Sequence, residues 1–341
     1  MRYPEFLKEN GTIGYVAPSF GAATEPYKSQ FIRAVEIFER EGYKSDFGPN
    51  VFAGEGIGIS NTPEKCGAEL TEWYCSKKND VLISVGGGEL MCETLDYVDF
   101  KKIRRAKPKW YMGYSDNTNF NFLLPMLCDT AAFYAPCVSS FAMEPRHEAV
   151  QDAFDMLSGK KLTVHGYKKW ELHEVDSPDA PFLPYNVTEP TRVVPYNWDK
   201  TPISGRMIGG CLDCLANLVG TDFDRVKKFS ERYKDDGIIW FMEACDLNVF
   251  SMRRALWEMK HAGWFDHVNA FLIGRPYNYG QKMIGLDQYE AVLGILRDYD
   301  VPVIMDCDLG HLPPMIPMIN GGYGTVKPYG RNNIKVEFEL K

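Results

Sequence analysis

Ser115, Glu243 and His311 are the residues of this sequence whose types and settings could perform nucleophilic chemistry on a carbonyl group. Ser115 follows Trp110-Tyr111-Met112-Gly113, an apolar, aromatic run that reads as a buried strand, stops at a Gly and gives way to a helical pattern. That is the shape of a nucleophile elbow, in which a sharp strand-to-helix turn lifts a hydroxyl above the sheet edge and aims helical N–H groups at a developing oxyanion. The stretch lacks the second Gly of the hydrolase pattern, and locally the same Ser also reads as the N-cap of a helix over 117–127. Glu243 closes the run Gly237-Ile238-Ile239-Trp240-Phe241-Met242, where a carboxylate at the end of a buried strand needs a positive or hydrogen-bonding neighbour. His311 sits in Gly310-His311-Leu312-Pro313-Pro314, just past the strand pattern 301–305, and taken alone could equally be a turn residue. Together the three supply what acyl transfer needs. A Ser requires a base to take its proton, and the imidazole requires a carboxylate to fix its tautomer.

The other candidates carry weaker signals. Gly86-Gly87-Gly88 follows the strand pattern 81–85 and could bring backbone N–H groups close to negative charge, or simply make a tight turn. Its spacing does not fit the dinucleotide fingerprint. Cys211 and Cys214 form a C-x-x-C with no second pair or His at zinc spacing, and read as a packed helix face; no metal site is expected. His147, His165, His173, His261 and His267 lie in polar helical or linker contexts, where a solvated imidazole is the default.

The elements that position these residues alternate. Short apolar strands at 11–16, 81–85 and 110–113 are separated by helical patterns at 27–41 and from 62 to about 78. This predicts an α/β domain with parallel strands over 1–160, functional loops gathering at the strand C-termini. Residues 161–204 change character, with Pro178, Pro181, Pro184, Pro190, Pro195 and Pro202 among aromatics, and read as a long linker or small β excursion. Its Trp170 and Trp198 could line a substrate cleft or pack onto a domain. The third segment, 205–341, restarts the alternation and ends in an alternating β tail, a C-terminal α/β, β-rich domain. The fold class expected is therefore two-domain α/β.

Length and composition exclude several classes. A chain of 341 residues with 45% hydrophobic content can bury two cores. No apolar run is long enough to cross a bilayer, and the start of the chain lacks a signal-peptide core, so a cytoplasmic protein is expected. Nine Cys scattered through apolar segments suit a reducing compartment. A net charge of −8 without long basic runs argues against nucleic acid as a partner and leaves a small molecule or peptide.

The chain also resembles the LD-carboxypeptidases, serine peptidases that include the microcin C self-immunity peptidases. The resemblance spans nearly the whole length and rests on Ile13-Gly14-Tyr15-Val16-Ala17-Pro18-Ser19, Gly86-Gly87-Gly88, Met112-Gly113-Tyr114-Ser115-Asp116-Asn117-Thr118, Gly205-Arg206-Met207-Ile208-Gly209-Gly210, Trp240-Phe241-Met242-Glu243, Ile273-Gly274-Arg275 and Gly310-His311-Leu312-Pro313-Pro314. It implies a Ser115–Glu243–His311 triad in two α/β domains that pair as a homodimer. It further implies an oxyanion hole from the backbone N–H groups of Gly87 or Gly88 and of Asp116, with no metal and no cofactor. The run Tyr114-Ser115-Asp116-Asn117-Thr118 and the aromatic linker look closer to the microcin-immunity branch; Cys211, where the family often has Asn, and Ala244-Cys245 after the acid depart from it. The expected activity is hydrolysis of an amide bond near the C-terminus of a small substrate, an L,D-muropeptide or a peptidyl-nucleotide, with Trp198 or Trp170 stacking on a base. The alternative is a noncatalytic two-domain binder of a peptide or nucleotide.

Overall fold

The computed structural model describes residues 1–173 and 179–341, so Pro178 of the proline-rich stretch lies outside the described residues. The chain divides into two compact units: Met1–Lys161 with Glu174–Tyr185, and Leu162–His173 with Asn186–Lys341. The stretch read as a linker is thus shared between them. Among the described residues no helix is long and apolar enough to cross a membrane.

Unit 1 alternates strands and helices. Strand β1 (Thr12–Val16) leads to α1 (Tyr27–Arg40), whose Phe31, Ala34, Val35 and Phe38 fall at helical spacing and are all buried. Strand β2 (Lys44–Phe47) precedes α2 (Pro63–Cys75), which starts at a Pro that suits a first helical turn because its missing N–H would have no partner there. Then follow β3 (Val81–Ser84), α3 (Met91–Thr94), α4 (Phe100–Arg105) capped by the Asp99 side chain, and β4 (Tyr111–Gly113). After a 3-10 turn at Ser115–Asn117 come α5 (Thr118–Asn121), α6 (Leu123–Cys128), β5 (Ala132–Tyr134) and α7 (Glu148–Leu157). The single helix expected over 117–127 is therefore broken in two. Pro125 lacks the N–H that would bond the Asn121 carbonyl, so the chain restarts its helix with Pro125 in the first turn. The unit's own strands lie in the order β5-β4-β3-β1-β2, every pair parallel, so the loops after β1, β3 and β4 emerge at one edge. Val16, Leu82, Tyr111, Phe120 and Leu124 belong to one core beneath that edge.

Unit 2 is built on a larger sheet. In chain order its elements are β6 (Thr163–His165), β7 (Lys169–Trp170), β8 (Glu189–Pro190), β9 (Val194–Tyr196), β10 (Ile203–Cys211), α8 (Leu212–Leu218), α9 (Val226–Arg232) and β11 (Ile238–Glu243). They continue with α10 (Val249–His261), β12 (Val268–Gly274), the small hairpin β13 (Lys282–Met283) and β14 (Leu286–Asp287), α11 (Gln288–Leu296), β15 (Val303–Cys307), β16 (Met318–Asn320), β17 (Tyr323–Tyr329) and β18 (Asn333–Glu339). The sheet order is β6-β18-β17-β10-β11-β12-β15-β9. Its centre, β10-β11-β12-β15, is parallel and its flanks are antiparallel, so the alternating tail supplies strands rather than a separate layer. Strand β11 is buried along its whole length, which an apolar run with helices on both sequence sides requires. Cys211 pairs directly with Glu243 in the β10–β11 register, so two chemically active side chains meet at the C-terminal ends of central strands.

Candidate active site

In unit 1 the elbow is a real strand-to-helix turn. Trp110, Tyr111 and Met112 are fully buried, and Tyr114 carries the strand's extended backbone one residue beyond Gly113. Ser115 then takes φ 61°, in the left-handed region. That conformation costs a non-Gly residue about 1–3 kcal/mol and persists only where the surroundings over-determine it. Here they do. Asn117 accepts from the Tyr111 hydroxyl and donates to the carbonyls of Gly86 (2.8 Å) and Tyr114 (3.1 Å), while Asn121 donates to the Gly113 carbonyl at 2.8 Å. The Asp116 carboxylate accepts from Ser19 Oγ (2.5 Å), the Met91 N–H (2.9 Å) and Asn119 Nδ2 (2.9 Å). The N-cap positions of the 3-10 turn and of α5 fall on Tyr114 and Asn117, not on Ser115, and the Ser115 N–H points to the Tyr134 hydroxyl at 3.4 Å.

The glycine loop lies against this turn. A Cβ on Gly87 would stand 3.3 Å from Ser115 Cβ and 3.4 Å from its Oγ, and one on Gly88 would collide with Ser19 Oγ. Gly88 must lack a side chain for that close approach, and a methyl group on Gly87 would press on Ser115. The Gly87 carbonyl is held by the Phe20 N–H at 2.7 Å, which fixes the plane of the adjoining peptide. Gly87, Gly88, Ser115 and Asp116 are therefore assembled within one unit.

In unit 2 Glu243 and His311 are hydrogen-bonded, Nδ1 to Oε2, at 2.9 Å. The Glu243 side chain is 1% exposed and that of His311 13%. A carboxylate so deeply buried demands a partner, and the imidazole is it. The approach depends on Gly310, which has φ 91° and whose Cβ would collide with the Glu243 carboxylate. Burial works against protonation of His311, but the Glu243 charge and the hydrogen bonds that His311 makes with Cys245 and Glu243 outweigh it, holding the imidazole well above its ordinary value. Burial raises the Cys245 thiol, with His311 pulling the other way. The hydrogen bond to Cys214 and burial push the Cys211 thiol well up.

The two tryptophans differ. Trp198 is half-buried and its indole N–H donates to the Thr201 carbonyl at 2.9 Å. Trp170 is buried, with the Arg275 guanidinium 4.6 Å from its ring centre and Tyr279 edge-on at 4.9 Å. It lines a cavity of about 440 Å³ in unit 2 together with Tyr279, Tyr289 and Asp306, and neither Glu243 nor His311 belongs to that lining. Arg275 is ion-paired to the fully buried Asp308 at 2.5 Å. Of the remaining imidazoles, His147 caps α7 by accepting from the Ala149 N–H, His165 stacks on Tyr329 and His267 meets Glu231 at 3.2 Å. Sequence reasoning missed the contact of Cys245 with His311 and the pinning roles of Asn117 and Tyr134; the unusual Cys after the acid was the one available signal.

Comparison with known proteins gives the family and the fold. Residues 13–135 match the LD-carboxypeptidase N-terminal domain and residues 204–326 the LD-carboxypeptidase C-terminal domain. The chain belongs to the LD-carboxypeptidase family. It is 24% identical to the microcin C7 self-immunity protein MccF of Escherichia coli over 321 residues, 92% of this chain and 89% of that protein. Among solved structures it matches MccF in complex with aspartyl sulfamoyl adenosine, with a TM-score of 0.83 and 23% identity over 99% of both chains. An MccF-like protein from Bacillus anthracis matches with a TM-score of 0.81 and 22% identity, covering 99% of this chain and 100% of that one. These likenesses fix the two-domain α/β fold.

Proposed function

We propose that this LD-carboxypeptidase family member is a serine hydrolase that cleaves an amide bond near the carboxyl end of a small peptide-like substrate. The observation that carries the reading is the buried Glu243–His311 pair, closed through a loop that only Gly310 permits. Membership in a carboxypeptidase family supports amide hydrolysis in general. The strained Ser115 beside the Gly87 backbone supports Ser115 as the nucleophile. In this mechanism His311 takes the Ser115 proton as Oγ attacks the carbonyl carbon, and Glu243 orients the ring and stabilises the imidazolium. The oxyanion is held by N–H groups of Gly87 or Gly88 and of Asp116. His311 then returns the proton to the leaving nitrogen, and a water activated by the same imidazole hydrolyses the acyl ester.

The substrate we favour is a peptidyl- or aminoacyl-nucleotide conjugate rather than a muropeptide. Related structures hold aspartyl sulfamoyl adenosine, glutamyl sulfamoyl guanosine and adenosine monophosphate. We favour the half-buried Trp198 for stacking on a base over the buried Trp170, whose ring packs with Arg275 and Tyr279. All nine cysteines are free thiols, which supports work in the cytoplasm, and the homodimer of the family resemblance belongs to the same proposal. The test offers the purified protein an aspartyl-adenylate analogue with a scissile amide and an L,D-tetrapeptide, with products followed by mass spectrometry. Cleavage of the conjugate, weakened in Trp198→Ala, is expected. Turnover of the tetrapeptide alone would reverse the substrate assignment, and turnover of neither would overturn the proposed function.

A further inference from the structure

Beside the acid–base pair the structure collects thiols that the proposed reaction does not use. Cys211 Sγ, a Glu243 carboxylate oxygen and a His311 ring nitrogen all lie within 4.8 Å of one another. The closeness is built in: Cys211 and Glu243 are paired residues of β10 and β11, and Cys211 is the N-cap residue of α8. In the first turn of that helix, Asp213 accepts the N–H groups of Cys245 (3.0 Å), Asp246 (2.8 Å) and Leu247 (3.2 Å). The loop that follows the acid, with a second thiol hydrogen-bonded to His311, is therefore tied down around the pair.

We propose that Cys211, Glu243 and His311 form an inhibitory site for a borderline-soft divalent metal ion, zinc by its donor set. Thiolate, imidazole and carboxylate are the ligands zinc takes, whereas magnesium and calcium take oxygen donors only. Tetrahedral zinc bonds of about 2.0–2.3 Å put donors roughly 3.3–3.8 Å apart, so a contraction of about an ångström gathers the three. The step balances as a ligand exchange: the ion displaces two protons to solvent, one from the Cys211 thiol and one from the His311 imidazolium, and the ring nitrogen so freed gives its lone pair to the metal. Three protein donors leave the fourth position to water. An ion held there occupies the lone pair and the carboxylate that the hydrolysis needs, so binding and turnover exclude each other. This inhibition rests on the proposed function; the metal site itself does not.

Cobalt(II) titration of the full-length Ser115→Ala variant separates the two, because it reads the metal without turnover. The expected result is a thiolate-to-cobalt charge-transfer band with visible tetrahedral bands at one ion per chain, displaced by zinc. Cys211→Ser should lose the charge-transfer band, and His311→Gln should weaken cobalt binding by at least about tenfold while circular dichroism stays native. In the wild-type protein zinc should inhibit hydrolysis. Cys211→Ser should need at least about tenfold more zinc for the same fractional loss of its own zinc-free rate. Absence of the band at saturating cobalt, or an unchanged band in Cys211→Ser, would overturn the metal site. A band without any hydrolysis by zinc-free wild-type protein would overturn the proposed function and leave the site standing.

Discussion

Replacing Glu243 by Gln perturbs the pair while changing little else. The carboxylate is buried, its oxygen is 2.9 Å from His311 Nδ1, and its charge is what lifts the imidazole above its ordinary value against the opposing effect of burial. A base must be deprotonated to accept the Ser115 proton, so in the wild-type protein kcat/KM should rise with pH through that elevated value. Removing the charge leaves burial opposed chiefly by Cys245, and loss of an opposite charge within hydrogen-bonding distance is worth about 1–3 pH units. The acid limb of kcat/KM should therefore move down by about that much in Glu243→Gln. The rate on the plateau should fall as well. An amide cannot hold the imidazolium or select its tautomer, and the comparable loss in a serine triad is about 10⁴-fold, or roughly 5 kcal/mol of transition-state stabilisation. The assay is a pH–rate profile on the conjugate for both proteins, with circular dichroism confirming the fold. A variant with an unmoved acid limb and a plateau within tenfold of wild type would refute the reasoning.

Three further expectations follow from other parts of the structure. Gly87→Ala places a methyl group 3.3 Å from Ser115 Cβ, so kcat should drop by about 10- to 100-fold while the melting temperature stays near wild type; equal loss of activity and stability would deny the loop a special position. Glu69 is buried in α2, where its carboxylate accepts the N–H groups of Ala17 and Asn50. Burial raises it from 4.5 to about 7, the two N–H groups offsetting only part of that. Stability it contributes below pH 4.5 should be lost as pH rises through 7, about 3 kcal/mol in all at roughly 1.4 kcal/mol per unit. The difference in unfolding free energy between wild type and Glu69→Gln, measured in urea across that window, should show this slope; a constant difference would contradict it. Arg275→Met leaves Asp308 as an uncompensated buried carboxylate and should cost about 3–5 kcal/mol in denaturant unfolding, a loss under 1 kcal/mol being incompatible with the buried pair.

Much of this could be read from the chain because burial writes period and composition into sequence. The fully apolar run of β11 announced a central strand, and the spacing of Phe31, Ala34, Val35 and Phe38 announced the buried face of α1. Glu243 and His311 were each legible as residues at strand ends. Their pairing came only from the family resemblance and not from spacing, since the contact arises from the order β11-β12-β15 and from the backbone freedom of Gly310 across 68 residues of chain. The left-handed Ser115 was hidden for a different reason: no local preference of Ser favours φ 61°, and the tertiary bonds of Asn117 and Asp116 impose it. The proline-rich stretch could be read only as a linker or small β excursion, because its short strands β6 and β9 are the two edges of the large sheet, a pairing set by tertiary structure and not by local sequence.

Ser115 is the proposed nucleophile. Its most direct test is single-turnover hydrolysis of the aspartyl-nucleotide conjugate by wild type and Ser115→Ala, with substrate affinity measured separately. Unchanged binding, a native fold and a rate lower by about 10⁴- to 10⁶-fold are expected in the variant. Hydrolysis by Ser115→Ala at a rate near that of the wild-type protein would contradict that role.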